Sequence, residues 1–316
     1  MNRRLKRKED LREGLQRISE EQLHEMLQVM SRGELTAEMV HGTRKIIKCL
    51  RAILRLASGA LPGEVRKTRN QALRDLADRL SGPRDAAVTL AAFEKACRAS
   101  LKKNSHSASE PRWADHLQRS LAAQAHALVP AESYQEAAQG VRRLGGPLLL
   151  FEDRPRGPGP SQSPPECEWD QTVADGLWKT YRQGRRLLLQ VSANPQSPEE
   201  QWHELRKRAK DLGYQLALLK KVKGVKPLLG QLDEVGSALG DARDLSLLRD
   251  YLGKVEDKQE LTLAERQSYQ HLLTHIEGQR QELHRRALKP AQRVYRRKGK
   301  RFTGQIVKRG RQWQAG

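Results

Sequence analysis

His41, Arg44, Lys45, Lys48, Arg51 and Arg55 share one side of a helical wheel. At 100° per residue they fall within a sector of about 120°. Ile46, Ile47, Leu50, Ile53, Leu54 and Ala57 fill the opposite side. One face packs and the other collects cations. A row of guanidinium and ammonium groups headed by a histidine is suited to capturing an anion, and its length suits a polyanion. Like charges at i, i+4 destabilise a helix by about 0.2–0.5 kcal/mol per pair. No acid lies on this stripe to offset them, so water, salt or a bound anion is expected there.

The group occurs twice. His203, Arg206, Lys207 and Lys210 stand a constant 162 residues after His41, Arg44, Lys45 and Lys48, with Leu205, Leu212, Leu216 and Leu219 behind them. Gly213 and Ala217 occupy the places of Arg51 and Arg55, so the copies are unequal. A second landmark also recurs, LSGPRDAAV from Leu80 answering LGDARDLSL from Leu239. Asp85 and Asp244 there suit the positive ends of helix dipoles and are read as structural.

Two further groups extend the candidate site. Lys179, Arg182 and Arg186 share a face within GLWKTYRQGRRLLL, and Arg66 and Arg69, with Asn70, make the start of another amphipathic helix polar. Any one of these cations alone is an ordinary solvated surface residue. Their recurrence as a set on single faces points to a groove between helices. His41 and His203 stay ambiguous between donating to a phosphate and capping their helices.

The 316 residues carry 59 Lys plus Arg against 38 Asp plus Glu, a formal charge of +21. Such an excess concentrates anionic partners around the protein. Aromatics are only 4% of the chain, so the core must be built from Leu, Ala, Val and Ile, which suits packed helices. Cys49, Cys97 and Cys167 show no CxxC spacing, which suggests neither zinc nor a disulfide framework and fits a reducing cytoplasm. The basic amino terminus lacks the apolar segment of a signal peptide, and no run approaches the roughly 18 apolar residues of a membrane span. The i, i+4 pair His271 and His275 has no third ligand nearby and is read as surface. No cofactor and no metal is expected.

Helical periodicity dominates, and no alternating strand of useful length is found. Helices are expected near residues 9–30, 34–58, 64–81, 84–104, 111–128, 132–144, 169–192, 198–222, 226–239, 242–256 and 260–288. The expected class is all-α, with two pseudo-symmetric repeated helical bundles of the four-helix type. Residues 1–151 make the first bundle, 152–168 a proline-rich linker, 169–288 the second bundle, and 289–316 a basic tail expected to be loosely held.

The paired H-x-x-R-K-x-x-K segments, the LxxxRD landmarks and the WKTYRQGRR helix resemble the conserved histidine α-helical domain, CHAD. The likeness runs from the first helix to about Leu288. It implies paired four-helix bundles and a basic surface that binds inorganic polyphosphate. On that likeness His41, Arg44, Lys45, Lys48, His203, Arg206, Lys207 and Lys210 are phosphate contacts, and the protein belongs in the cytoplasm, with polyphosphate granules as one destination. Gly213, Ala217 and the proline-rich insertion depart from the pattern.

An enzyme is not expected. The E-x-E-x-K strand of triphosphatase tunnels is missing, its nearest string being ECEWD at Glu166–Asp170. No GxxxxGK[ST], HExxH or GxSxG segment occurs either. The alternative is a helical protein that binds nucleic acid non-specifically through phosphate contacts and the basic tail.

Overall fold

A computed structural model describes residues 4–9, 11–31, 36–59, 61–80, 82–101, 112–126, 136, 139–140, 167–194, 196–256 and 261–315. Among the described residues the chain is all-helical, as expected, with no strand. The helices are α1 (Leu11–Met30), α2 (Ala37–Leu56), α3 (Gly63–Arg79), α4 (Gly82–Leu101), α5 (Arg112–His126), α6 (Cys167–Ala193), α7 (Glu199–Leu218), α8 (Val225–Glu256), α9 (Leu263–Val294) and α10 (Gly299–Ala315). The two motif helices, α2 and α7, are each 20 residues long and begin and end at the offset that relates their histidines. Thr36 caps α2 by accepting from Met39 N at 3.2 Å. Glu199 and Glu200 place carboxylates in the first turn of α7, where the dipole favours them.

The compact units do not follow the consecutive halves expected from the repeat. Unit 1 takes Met1–Leu80, Pro130–Glu234 and Pro290–Gly316, and unit 2 takes Ser81–Val129 and Val235–Lys289. The cause lies in α8 and α9, which are 32 residues each and contribute residues to both units. Unit 1 contains α1, α2, α3, α6, α7 and α10, with a core that includes Leu15, Ile18, Met26, Ile46, Ile47, Leu50, Ile53 and Tyr181. Unit 2 packs Phe93, Leu117, Leu121, Leu245, Leu248, Leu252, Tyr269, Leu272 and Ile276 into one cluster from α4, α5, α8 and α9.

Three expectations need correcting. The break near residues 240–241 does not occur, because α8 runs through it. Gly240 costs about 1 kcal/mol in a helix interior. Burying Leu239, Ala242 and Leu245 outweighs that. Arg243 and Asp244 are therefore helix interior and do not start a helix.

Helix α9 likewise continues through Pro290 to Val294. The tail is also folded. Within α10, Phe302, Thr303, Ile306 and Gly310 are buried, and Phe302 stacks on Tyr181 of α6 with ring centroids 4.0 Å apart. The Tyr181 hydroxyl donates to Val294 O at 3.2 Å and Arg297 O at 2.9 Å, which pins the α9–α10 turn. Tyr295 packs against Gly184, where a Cβ would collide with its ring. The expected helix 132–144 and linker 152–168 lie outside the described residues, apart from helical positions 136, 139 and 140 and the start of α6.

Candidate functional site

All fifteen sequence-predicted site residues lie in unit 1. The α2 stripe divides lengthwise. His41, Lys45 and Lys48 are exposed, whereas Arg44, Arg51 and Arg55 are half-buried. The wheel accounts for this: the three arginines occupy the edge of the sector that turns towards neighbouring helices.

Each arginine has work at that edge. Arg44 Nη1 donates to Ala77 O at 3.1 Å and Leu80 O at 3.2 Å, satisfying carbonyls at the C-terminal end of α3. Arg51 Nε donates to Asn70 Oδ1 of α3 at 3.0 Å. Arg55 Nη1 meets Asp211 Oδ1 of α7 at 3.1 Å. The arginine row thus joins α2 to α3 and α7, while the histidine and lysine row faces water.

Asp211 of α7 supplies from a neighbouring helix the acid that the stripe itself lacks. Its other oxygen lies 3.2 Å from Arg208 Nη1. One carboxylate therefore serves two guanidinium groups, with Arg51 and Arg66 close enough to repel Arg55. Burial pushes Arg55 down to about 10, with Asp211 opposing the shift and Arg51, Arg208 and Arg66 adding to it. Burial also lowers Arg51, with Asp211 opposing and Arg74 and Arg208 reinforcing. Desolvated and crowded cations of this kind are stabilised by added negative charge. From α3, Arg66 is half-buried and close enough to act on Arg55, and Arg69 is buried.

The second stripe is more neutralised. Lys207 pairs with Glu204 on its own helix, Arg208 Nη2 lies 3.8 Å from Glu204, and Lys210 Nζ lies 3.7 Å from Asp233 of α8. Burial works to raise the Glu204 carboxyl, but Lys207, Arg208 and His203 together hold it below its ordinary range. His203 and Arg206 are half-buried.

Lys179, Arg182 and Arg186 are exposed along α6, with the Arg182 guanidinium 5.1 Å from the Trp178 ring centroid. No hydrogen bond or ion pair among the described residues links these three to α2, α3 or α7. Arg208, Asp211 and Arg74 were missed by sequence reading. Arg208 sits off the histidine face, and the role of Asp211 depends on a tertiary contact. His271 and His275 do not form part of any group of three potential metal ligands among the described residues, and neither Cys49 nor Cys97 is in a disulfide.

The sequence profile of the CHAD domain matches residues 17–253. The chain belongs to the CHAD domain family. CHAD domains are associated with polyphosphate binding in general. Among solved structures, PptA from Streptomyces chartreusis is similar to this CHAD protein, with a TM-score of 0.61 and 17% sequence identity over 88% of this chain and 98% of that one. That likeness supports the shared helical fold. A comparison with curated proteins found no match. No described helix of this CHAD chain is long and apolar enough to cross a membrane.

Proposed function

We propose that the protein binds inorganic polyphosphate non-covalently, without catalysis and without an obligatory metal, through the cation face of α2. The observation that carries this is the two-row division of that face. His41, Lys45 and Lys48 are presented to solvent beside a braced row of arginines, on a helix with five cations and one acid. A flexible chain of phosphates has no bases to stack, so it needs charge and donors at intervals and no aromatic platform. Arg66 and Arg69 of α3 extend the face, and His203, Arg206, Lys207 and Lys210 of α7 make the lesser contribution. Lys179, Arg182 and Arg186 are secondary contacts on α6. The biological use would be docking on polyphosphate granules or bringing the polymer to a protein partner.

Competition tests this reading against nucleic-acid binding. Long-chain polyphosphate should displace duplex DNA from the full-length protein at equal phosphate concentration, and magnesium should weaken polyphosphate binding by occupying the same oxygens. Displacement of polyphosphate by DNA would move the nucleic-acid reading to first place. Lys45→Glu with Lys48→Glu is the preferred site variant, because both side chains are exposed. Arg44 is a poor probe, since its reversal would set a carboxylate against the α3 carbonyls.

A further inference from the structure

Three stretches of unit 1 that are distant in sequence meet at the C-terminal end of α7. The first is residues 4–9, where Leu5 N donates to Leu218 O at 3.1 Å. The second is the turn from α7 into α8. The third is α10, whose Arg309 Nη1 donates to Lys223 O at 3.4 Å and whose Trp313 O accepts from Arg7 Nε at 3.1 Å. Gly224 makes the crossing possible. It adopts φ +84°, a backbone that favours glycine, and a Cβ there would displace the Arg309 guanidinium from its present position.

This junction concentrates positive charge. Lys221, Lys223, Lys226 and Arg7 are exposed, and Lys220 and Arg309 are half-buried. No acidic side chain pairs with the four lysines among the described residues. Glu9, the nearby acid of the N-terminal stretch, is already gripped by the Arg17 guanidinium at 2.6 and 2.9 Å. The motif frame does not demand these charges, because the corresponding positions after α2 are Ser58, Gly59, Leu61 and Glu64.

Lys210 and Lys220 are ten residues apart along α7 and its end, about 15 Å at 1.5 Å per residue. Gly213 and Ala217 lie between them on the cation sector, and Tyr214 stands half-buried beside them.

We infer that this lysine turn, held by the N-terminal stretch and α10, is a second anchor for the same polyphosphate chain, which makes the protein selective for long chains. The inference rests on the proposed polyphosphate function. A chain that reaches both places is held at high effective concentration at the second once bound at the first, whereas a short chain occupies only one. Polyphosphate is favoured over nucleic acid as the occupant because the cluster is built of lysine point charges and its one nearby tryptophan, Trp313, is half-buried and so poorly placed for base stacking.

The test compares tripolyphosphate with long-chain polyphosphate on the full-length protein. One variant combines Lys220→Gln, Lys221→Gln, Lys223→Gln and Lys226→Gln. A charge-matched control combines Lys95→Gln, Arg119→Gln, Arg286→Gln and Lys289→Gln, all exposed and in unit 2. Circular dichroism checks that each variant folds.

The turn variant should lose about tenfold or more in affinity for the long chain and less than about twofold for tripolyphosphate, with the control unchanged on both. Equal losses for both lengths, or behaviour like the control, overturn the inference, as does a loss confined to duplex DNA. Lys45→Glu with Lys48→Glu separates the two levels. If that pair abolishes binding while the turn variant does not weaken it, only the second anchor fails. If neither weakens binding at any length, the proposed function fails as well.

Discussion

Helices α2 and α7 carry the same H-x-x-R-K-x-x-K frame over the same length, and they differ in where their remaining charges stand. Helix α2 has five cations and one acid, and the turn that follows it, Ala57–Pro62, has no cation. Helix α7 has four cations and four acids, and its turn adds Lys220, Lys221 and Lys223. Asp211 stands where α2 has Cys49, and Gly213 and Ala217 where α2 has Arg51 and Arg55. The acid gained by one helix meets an arginine carried only by the other, with Asp211 3.1 Å from Arg55. A repeated frame has thus become two complementary partners. The first keeps an exposed cation face, and the second neutralises its own helix while braced against the first.

Gly176 of α6 touches both helices and offers the most forceful way to break the comparison. Its carbonyl accepts from Gln215 of α7 at 3.2 Å, and a Cβ at this position would collide with the Leu56 carbonyl and lie 2.7 Å from that of Arg55. Backbone oxygens cannot swing aside as a flexible side chain can. Gly176→Ala should cost about 3 kcal/mol or more, at the upper end for overpacking, and lower polyphosphate affinity as well. Thermal or urea unfolding reads the first effect and titration the second. An unchanged midpoint would mean that α6 does not set the α2–α7 packing.

Next in size is the asymmetry of binding. Lys45→Glu with Lys48→Glu should weaken polyphosphate binding by about a hundredfold, taking roughly 1.5 kcal/mol for each charge-assisted hydrogen bond to phosphate that is removed. Lys207→Glu with Lys210→Glu should cost about tenfold or less, because those lysines already have Glu204 and Asp233 beside them. Equal losses would show that the neutralising acids are displaced on binding and that the copies act alike. Asp211→Asn sharpens the same point, since it removes the charge that offsets Arg55, Arg51 and Arg208. It should destabilise the free protein by about 1–3 kcal/mol. Saturating polyphosphate should recover part of the lost melting temperature if those arginines sense the ligand.

The helix frame and the direction of the cation face were readable because both follow from a 3.6-residue period. The division of that face into exposed lysines and braced arginines was not. A wheel orders Arg44, Arg51 and Arg55 about their own axis, but it does not say that α3 offers carbonyls at Ala77 and Leu80, or that α7 offers Asp211. Helix α10 was misread for a related reason. Phe302 and Ile306 form a short apolar stripe among many cations, and the composition signal hid the periodicity that docks it on Tyr181. The expected break between residues 239 and 242 spans Gly240, whose propensity cost the packing of α8 overrides.

The smallest expected effect separates space from charge at the positions where the copies diverge. Gly213 is helical, and a Cβ built there meets nothing closer than Leu232 Cβ at 3.9 Å. Gly213→Ala should therefore stabilise the protein by up to about 1 kcal/mol through helix propensity alone, leaving polyphosphate affinity unchanged. Gly213→Arg restores the residue found at Arg51. It should raise affinity for polyphosphate by a few-fold if absence of charge is what weakens the second copy, with about 1 kcal/mol as the scale for one exposed hydrogen bond to phosphate. A stable Gly213→Arg variant with unaltered affinity would instead assign the difference to Glu204 and Asp211, whose carboxylates would still neutralise the cations around them.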